Sequence, residues 1–340
     1  MIHGSIDLKL YSMKKLVFLF LVSVACISCK EDNVQPELVK LSGPVFGTSF
    51  NIQYYSEEKI NYMKQFDSLF AVVNQSLSTY IPNSDISKLN RNESNDVDAH
   101  FIKVFEASKI VYRKTEGVFD PTIGNVVNAW DFGAETNKFL TDSTTIDSLM
   151  RYVGLNRVGL VKGKIIKPKQ FYLEFNAIAK GYGVDVIAEF LENKGVVNYL
   201  VEIGGELRVG GEKIDTKSPW KVGLDEPRFD GEQSVFLAIV LKDEAMATSG
   251  TYRKFKIDDN GNRYAHIINT KTGYPTRTNI LSVSVIAPDC MMADAYATAF
   301  QAMGINRVKD FLTQHLELKA HLIYEEDKEL KTLSLNNFPE

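Results

Sequence analysis

Residues 171–205 constrain this chain more than any other stretch. A strand-like run, Phe171-Tyr172-Leu173-Glu174-Phe175, meets small residues and a lysine in Asn176-Ala177-Ile178-Ala179-Lys180-Gly181. Beyond them Val184, Ile187, Ala188 and Leu191 recur at helical spacing, which gives a helix one buried face. Gly195 supplies the stop. Tyr199-Leu200-Val201-Glu202-Ile203 then reads as a strand ending in Gly204-Gly205. This order brings glycines, bare backbone N–H groups and the positive end of a helix dipole near one point, which suits a phosphate. An ordinary helix–strand connection fits the same residues.

The rest of the chain narrows the class. At 340 residues and 44% hydrophobic content there is apolar material for a sizeable core, in one large domain or two small ones. A net charge of -4 gives no basis for a nucleic-acid partner. Three cysteines, Cys26, Cys29 and Cys290, cannot build a disulfide framework or a cysteine metal site, and Cys290 reads as a lone buried thiol. Met13-Lys14-Lys15 precedes the apolar run 16–25, a secretory signal too short to span a bilayer. Residues 1–12 stand outside that logic, so Met13 is an alternative start. The signal closes in Val24-Ala25-Cys26-Ile27-Ser28-Cys29. Small residues before a cysteine resemble a bacterial lipoprotein processing site. Cys29 is favoured over Cys26, because Lys30-Glu31-Asp32 after it resembles the charged export tag of Bacteroidetes lipoproteins. The division expected is a signal with its processing site over 1–29, a flexible tether over 30–42, and one domain over 43–340.

Within that domain, amphipathic spacing predicts helices over 59–76 and 100–115, a short one over 146–153, and a last one over 305–315 followed by an edge strand over 319–324. Residues 43–55 read as a turn followed by an alternating strand, and further strands are expected over 220–224, 234–241 and 281–287. Several loops carry chemistry-bearing residues. Tyr80 offers a ring to stack on or merely packs. Asp120-Pro121 fixes an extended turn that projects the Asp120 carboxylate or folds it into an Asx turn. Thr248-Ser249-Gly250 presents hydroxyls at a strand end, or forms a hairpin turn. His266 stands at a strand-to-turn edge, where structural and catalytic roles are both open. On the small-residue helix over 291–300, Asp294 and Thr298 share a face. A carboxylate and a hydroxyl suit a hard cation such as Mg²⁺, though an exposed acid beside a threonine bonded back to its helix fits as well.

Taken in order, Gly47-Thr48, Ser78-Thr79-Tyr80 with Ser84 and Ser87 through Leu89-Asn90, 117–124, Trp130-Asp131-Phe132-Gly133, 177–185, Ile203-Gly204-Gly205, Thr248-Ser249-Gly250 with Tyr252, 266–273 and 293–298 resemble the ApbE family of FAD:protein FMN transferases. The resemblance implies an α+β class: a single ApbE-like, T-fold-related domain of mixed sheets packed with helices. It implies Mg²⁺-dependent cleavage of the FAD pyrophosphate, with FMN passed through a phosphoester to a Thr or Ser of a target flavoprotein and AMP released. It places Asp294, Thr298 and the carbonyl of Ala177 on the metal. Phe46, Tyr80, Val118, Phe119, Asp120, Glu174, Lys180 and Ile268 would line the FAD site, with Thr248, Ser249 and His266 near the reacting phosphates. A base must aid the acceptor hydroxyl; His266 or a site carboxylate is expected. The resemblance also fits a lipid-anchored protein on the periplasmic side of a bacterial membrane. The sequence departs from the family pattern at Asn269-Thr270, where Asp-Pro is common, at Ala297, where some members carry a second acid, and at Glu174, often Asp. Two other functions fit the same residues: an FAD pyrophosphatase releasing FMN and AMP, and a non-catalytic flavin-binding lipoprotein.

Overall fold

The structure is a computed structural model that describes residues 36–135, 141–232, 234–252, 255–257 and 263–340. The signal, Met13, Cys26 and Cys29 lie outside these residues. The expected tether over 30–42 needs correcting at its end: from Glu37 the chain is already strand β1 (Glu37–Val45), paired antiparallel with β2 (Thr48–Ser56). Leu38, Val39 and Leu41 supply the apolar contacts that draw this segment onto the sheet, so polarity alone misjudged it.

The α+β expectation holds. The later strands are β3 (Gly159–Val161), β4 (Lys164–Ile166), β5 (Tyr199–Ile203), β6 (Glu206–Gly210), β7 (Trp220–Asp225), β8 (Val235–Leu241), β9 (Ala245–Gly250), β10 (Phe255–Ile257), β11 (Arg263–Ala265), β12 (Ile280–Ala287), β13 (Lys319–Glu326) and β14 (Glu329–Leu335). The eight-stranded sheet runs β1-β2-β5-β6-β9-β12-β13-β14, and its pairings are antiparallel. The strand expected at 319–324 is therefore not an edge, since β14 covers it.

Side-chain alternation assigns the two faces of the sheet. Val201, Ile203, Val283 and Val285 point toward the helices. Leu200, Met246 and Ile286 point the other way, under the hairpin β7 (Trp220–Asp225) and β8 (Val235–Leu241), where Trp220 is fully buried. Against the helical face lie α6 (Ala179–Asn193) and α7 (Cys290–Met303). Outside them are α1 (Met63–Leu77), α2 (Asp85–Asn90), α3 (Ala99–Lys114), α4 (Gly124–Ala129), α5 (Ser143–Met150) and α8 (Ile305–Leu312). The helices expected over 59–76, 100–115, 146–153 and 305–315 are thus present with shifted ends.

The α6 helix forms as its spacing requires. Val184, Ile187, Ala188 and Leu191 are fully buried on one face. At its C-terminus Gly195 adopts φ +78°, its N–H donates to Glu192 O and that of Val196 to Leu191 O, and Val196 packs in the same cluster as Leu191. This is a Schellman stop, which satisfies carbonyls the helix leaves open. The strand expected at 171–175 does not form. Leu173 instead exchanges both backbone hydrogen bonds with the side-chain amide of Asn90, and the Glu174 N–H donates to Pro121 O.

Candidate functional site

A cleft of about 1090 Å³ opens where the N-terminal ends of α6 and β6, the C-terminal end of β9 and the inner face of α7 meet. That volume accommodates a large ligand. Every site residue anticipated from the sequence lines it: Phe46, Tyr80, Val118, Phe119, Asp120, Glu174, Ala177, Lys180, Thr248, Ser249, His266, Ile268, Asp294 and Thr298.

Its floor is α7 against α6. Asp289 caps α7 by accepting the Met292 N–H. Asp185 of α6 accepts the N–H groups of Cys290 and Met291, and Arg208 of β6 reaches Asp185. The start of α7 is thus tied to α6 and β6 together. Gly181 lets the helices touch: a Cβ there would lie 2.2 Å from Cys290 O. At that contact the Gly181 N–H donates to Asp294 Oδ2 at 3.0 Å.

Asp294 is therefore not an exposed first-turn acid. It is buried, and burial first, then the neighbouring Glu206 charge, push its carboxyl upward, opposed by Lys180 and the Gly181 N–H. One helical turn on, Thr298 Oγ1 meets Ser249 Oγ at 3.1 Å rather than bonding back into the helix. Ser249 and Thr248 end β9, and Thr248 is held by Ser284 Oγ of β12 at 2.8 Å.

Glu206 was not anticipated. It opens β6 directly after Gly204-Gly205, is 3% exposed, and accepts from Lys180 Nζ at 2.6 Å on Oε1. Its Oε2 is buried without a hydrogen-bond partner, unusual for a charged acceptor. An acid between a double glycine and the otherwise buried strand Leu207-Arg208-Val209 was the available signal. Ala297, where a second acid was looked for, lies fully buried in the core. The second carboxylate beside Asp294 comes from β6 instead. Asp294 and Thr298 present only oxygen, with the orphaned carboxylate oxygen of Glu206 in the same cleft, and this chemistry fits a hard divalent cation.

Of the two roles open to Asp120, the structure shows the Asx turn: its carboxylate accepts from Thr122 N and Oγ1 on one oxygen and from Leu155 N on the other, and Asp120 lines the cleft from that turn. One expectation needs correction: the start of α6 is not a set of bare amides, because the Ala179 N–H goes to Phe175 O and that of Gly181 to Asp294.

The rim loops brace one another. Trp130 Nε1–H donates to Gly273 O at 2.8 Å, and Thr270 Oγ1–H to Gly117 O at 2.6 Å. Asn269 Oδ1 accepts the N–H groups of Lys271 and Thr272, so Asn269-Thr270 makes its turn without a proline. Lys256 pairs with Asp131. His266 stands on this side of the cleft with its ring against Phe132, Tyr80 is exposed at the mouth, and Phe46 packs edge-on against Phe70.

Known proteins share both the sequence and the fold. The ApbE family pattern matches residues 46–322. The FAD:protein FMN transferase of Haemophilus influenzae is 33% identical over 343 residues, covering 96% of this chain and 98% of that protein. That of Vibrio cholerae is 35% identical over 280 residues, 80% of this chain and 83% of its own. Among solved structures, flavin transferase ApbE from Vibrio cholerae superposes with a TM-score of 0.79 at 32% identity over 88% of this chain and 97% of that one. The apo flavinyl transferase ApbE of Pseudomonas stutzeri gives 0.78 at 25%, over 89% and 96%. Sequence and fold agree along nearly the whole described chain, and it belongs to the ApbE family.

Proposed function

We infer that this chain is an FAD:protein FMN transferase: it cleaves the pyrophosphate of FAD, attaches FMN through a phosphoester to a Thr or Ser hydroxyl of a target flavoprotein, and releases AMP. The observation that carries this reading is the convergence of the family's separate motifs on one cleft large enough for a dinucleotide, in a chain whose full-length relatives are named for that activity.

Asp294 and Thr298, with the carbonyl of Ala177, would hold a divalent cation, Mg²⁺ by the hardness of the donors. Such an ion, when bound, offsets the concentrated charge of the pyrophosphate. The protein's own groups do the rest. Gly181 fixes the Asp294 carboxylate through its N–H. Ser249 orients the Thr298 hydroxyl. Phe46, Tyr80, Val118, Phe119 and Ile268 offer apolar and aromatic surface to the flavin and adenine rings. Ser249 stands beside Thr298, in place to contact phosphate oxygens, while Thr248, held by Ser284, ends the same strand at the cleft wall. His266 is the one histidine among the described residues lining the cleft, and we assign it to take the proton from the acceptor hydroxyl as that oxygen attacks phosphorus. The acceptor's fit at the mouth must exclude water, since water in its place would make the same cleft a pyrophosphatase.

The test is incubation with FAD, Mg²⁺ and a threonine-containing acceptor domain, followed by mass spectrometry. Acceptor carrying the mass of FMN, together with free AMP, is expected. Free FMN with unmodified acceptor would establish hydrolysis instead, and tight FAD binding without turnover under any divalent metal would reject both.

For the cell we propose lipidation at Cys29 and residence on the periplasmic side of the membrane, supported by the leader's pattern. No helix among the described residues is long and apolar enough to cross a bilayer. Fatty-acid labelling that survives Cys26→Ser and is lost in Cys29→Ser is the expected result.

A further inference from the structure

The cleft floor contains a carboxylate that the transfer reaction as described does not use. Glu206 is fixed at the first position of β6, and its side chain reaches Lys180 of α6 with Oε1 at 2.6 Å. That pairing accounts for one oxygen. The other, Oε2, is buried and has no hydrogen-bond partner. Both Glu206 and Asp294 line the cleft, as does Lys180, so two carboxylates face a single ammonium group. An ammonium on one oxygen leaves the geometry of the other free for a second positive partner. A buried carboxylate oxygen without a donor is costly unless such a partner arrives.

We propose that Glu206 is a positioning residue for the divalent cation of this site: Lys180 locks Oε1, and Oε2 accepts a hydrogen bond from a water on the ion that Asp294 and Thr298 hold. A small hard cation of the Mg²⁺ type keeps several of its waters when protein-bound, and outer oxygen acceptors orient those waters and raise affinity. Glu206 thus supplies from β6 the negative charge that Ala297 leaves out of α7. Lys180 acquires a matching role, since by gripping Oε1 it aims Oε2 and keeps Glu206 from swinging onto the ion as a direct ligand. The inference rests on the cation reading of Asp294 and Thr298 given above.

The test uses Mn²⁺ as a paramagnetic probe, titrated into the full chain with and without FAD and followed by electron paramagnetic resonance. Four proteins are compared: the unsubstituted chain, Glu206→Gln, Glu206→Asp and Thr298→Val. Gln keeps the shape and the bond to Lys180 while removing the charge. Glu206→Gln should bind Mn²⁺ about tenfold or more weakly, within the range outer-sphere partners command, and Glu206→Asp should fall between it and the unsubstituted chain. If the Gln variant does not fold, the Asp variant carries the comparison alone, with a loss of affinity expected. Affinity within twofold of the unsubstituted chain for the folded Glu206 variants, while Thr298→Val is weakened, overturns this proposal and leaves the cation site standing. No Mn²⁺ binding by the unsubstituted chain, with or without FAD, overturns the cation site and this proposal together.

Discussion

The contact between α6 and α7 at Gly181 yields the sharpest test of how the fold sets the chemistry. In Gly181→Ala the new methyl would sit 2.2 Å from Cys290 O, 2.7 Å from Cys290 C and 2.8 Å from Asp294 Cβ. The first two are backbone atoms in the opening turn of α7, which Asp185 and Asp289 pin in place, so no flexible side chain can swing aside. Relief requires the helices to part by about 1 Å, and overpacking of this kind costs about 1–3 kcal/mol. Alanine returns about 1 kcal/mol of helix propensity relative to glycine, leaving a net loss of about 0–2 kcal/mol.

The activity should suffer more than the stability. Asp294 rides on α7, and the 3.0 Å bond from Gly181 N–H to its carboxylate spans the same gap. A displacement of about 1 Å at a reacting centre can cost on the order of a hundredfold in rate. Urea unfolding should therefore show a modest shift in midpoint, while FMN transfer measured by covalent flavin falls roughly a hundredfold. Gly195→Ala is the control. Its positive φ strains an alanine by about 1–2 kcal/mol, yet a Cβ there meets nothing, so transfer should be unaffected in the folded protein. A Gly181→Ala protein that unfolds and transfers like the parent would refute the argument that this crossing positions Asp294.

Other consequences are open to measurement. Asp294→Ala should abolish FMN transfer, and an unchanged rate at limiting Mg²⁺ would remove Asp294 from the metal site. Trp130→Phe deletes the bond to Gly273 O and leaves that carbonyl unpaired, at a cost of about 1–3 kcal/mol; KM for FAD should rise as the braced rim loosens, and equal KM values would show that the loops hold without it. Asp185→Ala strips two N–H groups of α7 of their acceptor and leaves Arg208 without that carboxylate, so unfolding in urea should come earlier by about 1–2 kcal/mol. Ile187→Ala, at a fully buried position of α6, should destabilise by about 2–5 kcal/mol with transfer by the folded fraction retained.

Elements that depend on local spacing were legible before any coordinates. The buried face of α6, its glycine stop, the strand ending in Thr248-Ser249-Gly250 and the shared face of Asp294 and Thr298 all follow from residues within a turn or two of one another. The segment 171–175 misled for an identifiable reason. Its composition is that of a strand, but its hydrogen-bonding partners are the side chain of Asn90 and the carbonyl of Pro121, neither of which a local pattern can reveal. Asp120 shows the reverse case: Asp-Pro announced a turn, and only the folded chain decided that the carboxylate closes it by accepting from Thr122.

The chain's own order of residues determined most of the elements and, through the family's motifs, which side chains line the cleft. Tertiary structure alone decided their company. Glu206 and Lys180 are 26 positions apart and Gly181 and Asp294 are 113 apart, and they meet because a sheet and two tightly crossed helices bring distant segments within bonding distance. Periodicity records which face of an element avoids water, a property each residue carries individually. A hydrogen bond or a cation site requires several groups within about 3 Å of one another, a property that comes into being only when the chain has folded.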